Sequence, residues 1–147
     1  MNSACFSCDG STIVSISLDN SIKLFHSNQL FGTSHQTNKR ARMETDDSAC
    51  DSINHNNYTG RWLTKLKICS SPLRSEYFAV GCMNQPRCIE LYRTRTGGKV
   101  KLSKVMELRN DDWLQSVQSV IEFHPSRNVL VGGNSSGRVH VFEPDIE

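Results

Sequence analysis

The sequence predicts an all-β chain built by repeating one small antiparallel sheet, and three observations carry that prediction. Short apolar runs alternate with polar residues at the period of two that marks a half-buried strand. Clusters of Gly, Asn, Asp and Pro of the hairpin type separate these runs. The order of strand, turn and strand then recurs along the 147 residues.

The first copy spans residues 1–32, with a hairpin turn at Cys8-Asp9-Gly10-Ser11. Ile13, Ser15 and Ser17 alternate with Val14, Ile16 and Leu18 in one strand, and Ile22 to Phe25 alternates again in the next. Between them Asp19-Asn20 is a two-residue turn of the kind whose twist matches that of the flanking strands. Residues 33–57 carry almost no apolar side chain and read as a disordered polar surface loop. Its Lys39-Arg40-Ala41-Arg42 tetrad fits a nuclear import signal, but a solvated charge run is the commoner explanation. The second copy, residues 58–109, is looser, with strands over Leu63 to Ile68, Tyr77 to Gly81 and Cys88 to Tyr92 and a fourth over Val100 to Leu108. The third, residues 110–147, runs from Val120–Phe123 through the turn His124 to Asn128 into Val129–Gly132. It continues through Asn134 to Gly137 into Val139–Phe142 and lacks an outer strand. Three or four short strands recurring at roughly 40 to 60 residues are the mark of propeller blades, which cannot bury both faces alone.

The net charge of +2 conceals a segregation. Residues 1–57 hold 4 basic and 6 acidic side chains, residues 58–109 hold 11 and 3, and residues 110–147 hold 2 and 6. The middle copy is therefore a +8 block that attracts polyanions, although exposed lysines also serve to keep sheet edges apart. No stretch approaches the roughly 18 consecutive apolar residues of a spanning helix, and Met1 to Cys5 lacks the charged-then-apolar order of a signal peptide. The expectation is an intracellular protein. Its six cysteines, Cys5, Cys8, Cys50, Cys69, Cys82 and Cys88, are then reduced thiols, and the sequons at Asn57 and Asn134 are without meaning.

Phe6-Ser7-Cys8-Asp9-Gly10 opens one copy and Ile22 to His26 closes it, while Phe123-His124-Pro125-Ser126 opens the last and Val139 to Glu143 closes it. This pattern resembles the WD-repeat family, with the closing Trp replaced by Phe25, Tyr92 and Phe142. A narrower match rests on Thr59-Gly60-Arg61-Trp62-Leu63-Thr64, on Gly81-Cys82-Met83 with Pro86-Arg87, and on Gly132 to Gly137 leading into Val139-His140-Val141-Phe142. Together these resemble the C-terminal blades of the family of WD repeat-containing protein 76 and damage-specific DNA-binding protein 2. The resemblance implies a seven-bladed ring, of which this chain supplies about three blades, too few to close it or to be stable alone. It also implies a nuclear, DNA-binding protein of the DNA damage response, bound to double-stranded DNA or chromatin. Some members are substrate receptors of a cullin-RING ubiquitin ligase. Such receptors often close a blade with Asp-x-Arg, whereas Tyr92-Arg93-Thr94-Arg95 keeps only the final Arg, and His26-Ser27-Asn28 and Glu143-Pro144-Asp145 keep none of it.

In such propellers the loops entering the innermost strand and joining the second strand to the third share one face, and functional residues concentrate there. In the DNA-repair relative a hairpin from one of these loops enters the duplex at the lesion. The matching stretch is Asn57 to Trp62, although the relative's tip residues differ. Arg61 suits phosphate or stacking contacts, and Trp62 is either a flat wedge for an unstacked base step or a core residue between blades. Asn84, Gln85 and Arg87 belong to the same face and suit phosphates or base edges. Asn134 and Ser135 read first as turn formers. Lys65 and Lys67 supply phosphate attraction if strand alternation sets them on one side.

Neither metal, cofactor, small-molecule substrate nor enzyme activity is expected. Cys5-x-x-Cys8 has zinc-like spacing but no second pair at a usable distance. Gly132 to Gly137 lacks the Lys of a phosphate loop, and His26, His124 and His140 have no nucleophile at fixed spacing.

Overall fold

A computed structural model describes residues 2–27, 51–95 and 100–144. The described residues form three antiparallel sheets. The first contains β1 (Ser3–Phe6), β2 (Thr12–Ser17), β3 (Ser21–His26) and β4 (Asp51–Asn54) in chain order. The second contains β5 (Ile68–Ser70), β6 (Tyr77–Gly81), β7 (Ile89–Arg95) and β8 (Lys101–Leu108), and the third contains β9 (Val120–Phe123), β10 (Leu130–Gly133) and β11 (Val139–Phe142). This is the all-β, blade-by-blade architecture that the repeats predict, an arc of a propeller. No helix among the described residues is long and apolar enough to cross a membrane.

The period-two pattern sets the register. Val14 lies opposite Leu24 and Ile16 opposite Ile22, so four fully buried side chains meet on one face of the first sheet. Asn20 closes the β2–β3 turn at φ 59°, a left-handed conformation that Asn tolerates better than most residues. The innermost strands lie side by side, β1 against β5 and β5 against β9. The sheets bury their faces against one another. One apolar cluster joins Val14, Ile16, Ile22 and Leu24 to Leu66, Ile68, Phe78 and Val80, and the other joins Ala79 and Ile89 to Ile121 and Leu130. Tyr92 belongs to the first cluster, and Phe142 packs against the second, where the resemblance expects a Trp.

Two expectations require correction. The polar segment 33–57 contains a strand at its end: β4 pairs with β3, setting Ile53 opposite Ile22, and Asp51 Oδ2 accepts a hydrogen bond from Leu102 N of β8 at 2.7 Å. A single Ile among Asp, Ser and Asn gives no alternation to read, so the partner strand decides this one. The Lys39 to Arg42 tetrad lies outside the described residues. The strand expected over Leu63 to Ile68 is Ile68–Ser70 instead, because Lys67 N donates to Ser119 O at 3.0 Å and the preceding residues belong to a loop. The hairpin read at the Cys8 turn is present: β1 stands before it and pairs with β2 from Ser3↔Ile16 to Phe6↔Ile13.

Two glycines are demanded by close approach. A Cβ on Gly81 would stand 1.9 Å from the backbone oxygen of Gln118, and one on Gly132 would stand 2.9 Å from Gln118 Oε1 and from Ile89 Cδ1. The loop entering β9 thus lies directly on the second and third sheets.

Candidate nucleic-acid interface

The β2–β3 turn and the loops at 55–67, 82–88, 109–119 and 134–138 gather at one end of the sheets, joined by hydrogen bonds. Asn57 N donates to Asn20 Oδ1 and Asn56 Nδ2 to Asn84 Oδ1, both at 3.0 Å, and Asn134 Nδ2 donates to Ser116 Oγ.

The entry loop of the second sheet is fixed at its base and raised at its tip. Asn57 is fully buried, and its Nδ2 donates to Ser17 O and Ser21 O at 2.9 Å each. That orientation leaves Oδ1 as an acceptor, which His55 Nδ1 meets at 2.6 Å. After this anchor the chain turns outward through Gly60, at φ 66°, to Arg61 and Trp62, which is 95% exposed. It returns through Leu63, which packs on the first cluster, and through fully buried Leu66, whose neighbours Lys65 and Lys67 both face solvent. None of the three described sheets covers the indole of Trp62. Tyr58, 69% exposed, stands on the same loop, and Trp113, 68% exposed, on the loop entering β9.

The 82–88 loop is closed by Cys82 N donating to Cys88 O at 3.0 Å. Asn84 and Gln85 are exposed, whereas Arg87 is half-buried and its Nη1 donates to Met83 O, bracing its own loop. Asn134 is a turn former: its Oδ1 accepts from Ser136 N at 3.1 Å and from Arg138 N at 3.0 Å. Ser135 is exposed beside it.

Folding divides the +8 block between the two ends of the sheet. Arg74 and Arg93 lie over the Tyr77 ring at 5.8 and 5.6 Å, at the end away from the 82–88 loop. Lys104 meets Glu90 at 3.3 Å and Glu107 at 2.5 Å, and Arg109 also pairs with Glu107. Arg61, Lys65 and Lys67 stand at the loop end with no ion pair among the described residues. Asp111 and Asp112 are exposed on the neighbouring loop and confine the positive surface to this entry loop.

Beneath it lies a buried polar group that residue spacing did not signal. Glu90 Oε2 accepts from Tyr92 OH and stands 3.2 Å from His55 Nε2. Burial alone would raise the Glu90 carboxyl, but the hydrogen bonds and charges of His55, Tyr92 and Lys104 outweigh it and hold it at about 2. His55 and Asn57 come from a segment that reads as loop, and only packing gives them a role, His55 against Glu90 of the second sheet and Asn57 against the β2–β3 turn of the first.

No protein-family model matches the chain. It is 48% identical over 88 residues to WD repeat-containing protein 76 of Xenopus laevis, covering 60% of this chain and 14% of that protein. It is 39% identical over 90 residues to the protein of that name in Mus musculus, covering 61% of this chain and 13% of the relative. It is 30% identical over 131 residues to DNA damage-binding protein CMR1 of Eremothecium gossypii, covering 89% of this chain and 21% of the relative. The chain thus spans between 13% and 21% of the length of these relatives.

Proposed function

Because this chain belongs to the WD-repeat family of WD repeat-containing protein 76 and DNA damage-binding protein CMR1, we propose that it binds damaged or modified duplex DNA as a non-enzymatic nuclear protein of the DNA damage response. The observation that carries this reading is Trp62, 95% exposed at the tip of a loop whose base is locked by Asn57. An exposed indole on a mobile loop loses conformational freedom on binding. On a fixed base it is already positioned to wedge into a weakened base step.

Around the wedge, Arg61, Lys65 and Lys67 neutralise phosphates, and the Asn84 and Gln85 amides reach phosphates or base edges. Arg87 acts by holding the shape of their loop. A lesion lowers the cost of unstacking, so a wedge of this kind favours damaged over intact duplex.

The test is salt-dependent binding of the protein to intact, damaged and base-modified duplexes, with Arg61→Ala and Trp62→Ala beside the unaltered chain. Loss of lesion preference in Trp62→Ala, with a residual salt-sensitive affinity, is the expected result. Binding to every duplex no tighter than that of a neutral propeller would overturn the reading. The loop face would then serve protein partners, as in a scaffold or a substrate receptor of a cullin-RING ligase.

A further inference from the structure

Cys82 follows β6, Cys88 precedes β7, and Glu90 lies two residues further along, so the hairpin's mouth brings two thiols and a carboxylate together. One potential ligand atom from each lies within 4.8 Å of the others, and all three residues are buried. A tetrahedral zinc ion, with bonds of about 2.3 Å to sulfur and 2.0 Å to oxygen, holds its ligand atoms roughly 3.5 to 4 Å apart. The group needs only small side-chain shifts to match that.

His55 backs the carboxylate. Because the Asn57 amide is fixed by its two backbone acceptors, His55 Nδ1 donates to Asn57 Oδ1 at 2.6 Å, and the ring so held sets Nε2 3.2 Å from Glu90 Oε2.

We propose that Cys82, Cys88 and Glu90, the carboxylate backed by His55, bind a soft divalent cation, zinc by preference. Two thiolates and a carboxylate form a borderline-soft set that disfavours magnesium and calcium. Lys104 does not block the site. Its ammonium also bonds Glu107 at 2.5 Å, and its side chain is 44% exposed, free to swing outward. The ion would clamp the mouth of the loop bearing Asn84, Gln85 and Arg87. The site does not depend on DNA binding, and its test measures metal alone.

The reduced protein is titrated anaerobically with cobalt(II), then zinc. One equivalent of cobalt giving a thiolate-to-metal charge-transfer band, displaced by zinc, is expected. Cys82→Ser and Cys88→Ser should abolish that band, and His55→Ala should weaken cobalt binding by more than about 10-fold. Should a variant fail to fold, the unaltered chain still decides: zinc should slow alkylation of Cys82 and Cys88, read by mass spectrometry, and leave exposed Cys8 unchanged. Absence of a thiolate band in the unaltered chain, or equal alkylation of Cys82 and Cys88 with and without zinc, would overturn the site.

Discussion

Trp62 and Asn57 lie five residues apart and do opposite things. Trp62 touches almost nothing in the folded chain, so its replacement should leave stability within about 0.5 kcal/mol of the original. If the indole stacks in DNA, Trp62→Ala should still weaken binding by about 1 to 3 kcal/mol, roughly 5- to 150-fold, by fluorescence anisotropy with a lesion-bearing duplex. Asn57 is the reverse case. Asn57→Ala strands the Ser17 and Ser21 carbonyls and the His55 ring, and should cost about 1 to 3 kcal/mol in urea denaturation. Gly81→Ala should cost about 3 kcal/mol or more, because the new methyl meets a backbone oxygen and no flexible side chain can yield to it. Sequence alone identifies Arg61 and Trp62 as suited to DNA but leaves Trp62 divided between wedge and core, since an aromatic residue serves both. It gives Asn57 as the start of a loop and conveys nothing of its burial.

At the scale of strands, the inner positions carry unusual chemistry. Cys5 on β1 and Cys69 on β5 sit near each other and near Glu122 on β9. Burial first, and the Glu122 carboxylate second, push the Cys5 thiol from 9.0 to about 12 and raise Cys69 as well. Their folded values are raised, so the stabilising contribution is complete below pH 9, the unfolded value, and is lost as pH climbs toward the folded values. Denaturation midpoints should therefore fall between about pH 9 and 12, and Cys5→Ser should flatten that fall. The strands most legible in the sequence are those whose alternation is complete, β2 and β3 above all. β4 was hidden because its burial comes from β3, and β5 was displaced because the β8–β9 loop takes the hydrogen bond that would have extended it.

Across the whole molecule, the basic middle copy is not a basic face. Its cations divide between an end where Arg74 and Arg93 pack on Tyr77, an outer edge where Glu90 and Glu107 hold Lys104 and Arg109, and the loop end where Arg61, Lys65 and Lys67 remain. Three phosphate contacts predict a slope of about −3 in log affinity against log salt, instead of the steeper slope that eight would give. Lys65→Gln with Lys67→Gln should bring it to about −1, measured from 50 to 200 mM salt. A slope unchanged by both substitutions would remove these lysines from the contact.

The sequence by itself determined the all-β class, the three repeats, most turns, and the family to which the blades belong. These are local: alternation, turn residues and spacing are fixed by neighbours a few positions away. Tertiary structure alone decided that Trp62 is exposed while Asn57 is buried, that segment 51–57 is ordered, that like charges separate, that Cys82, Cys88 and Glu90 converge, and that His55 meets Glu90. Each depends on which surface of another sheet comes to lie against a residue, and that is set by packing between blades distant in the chain.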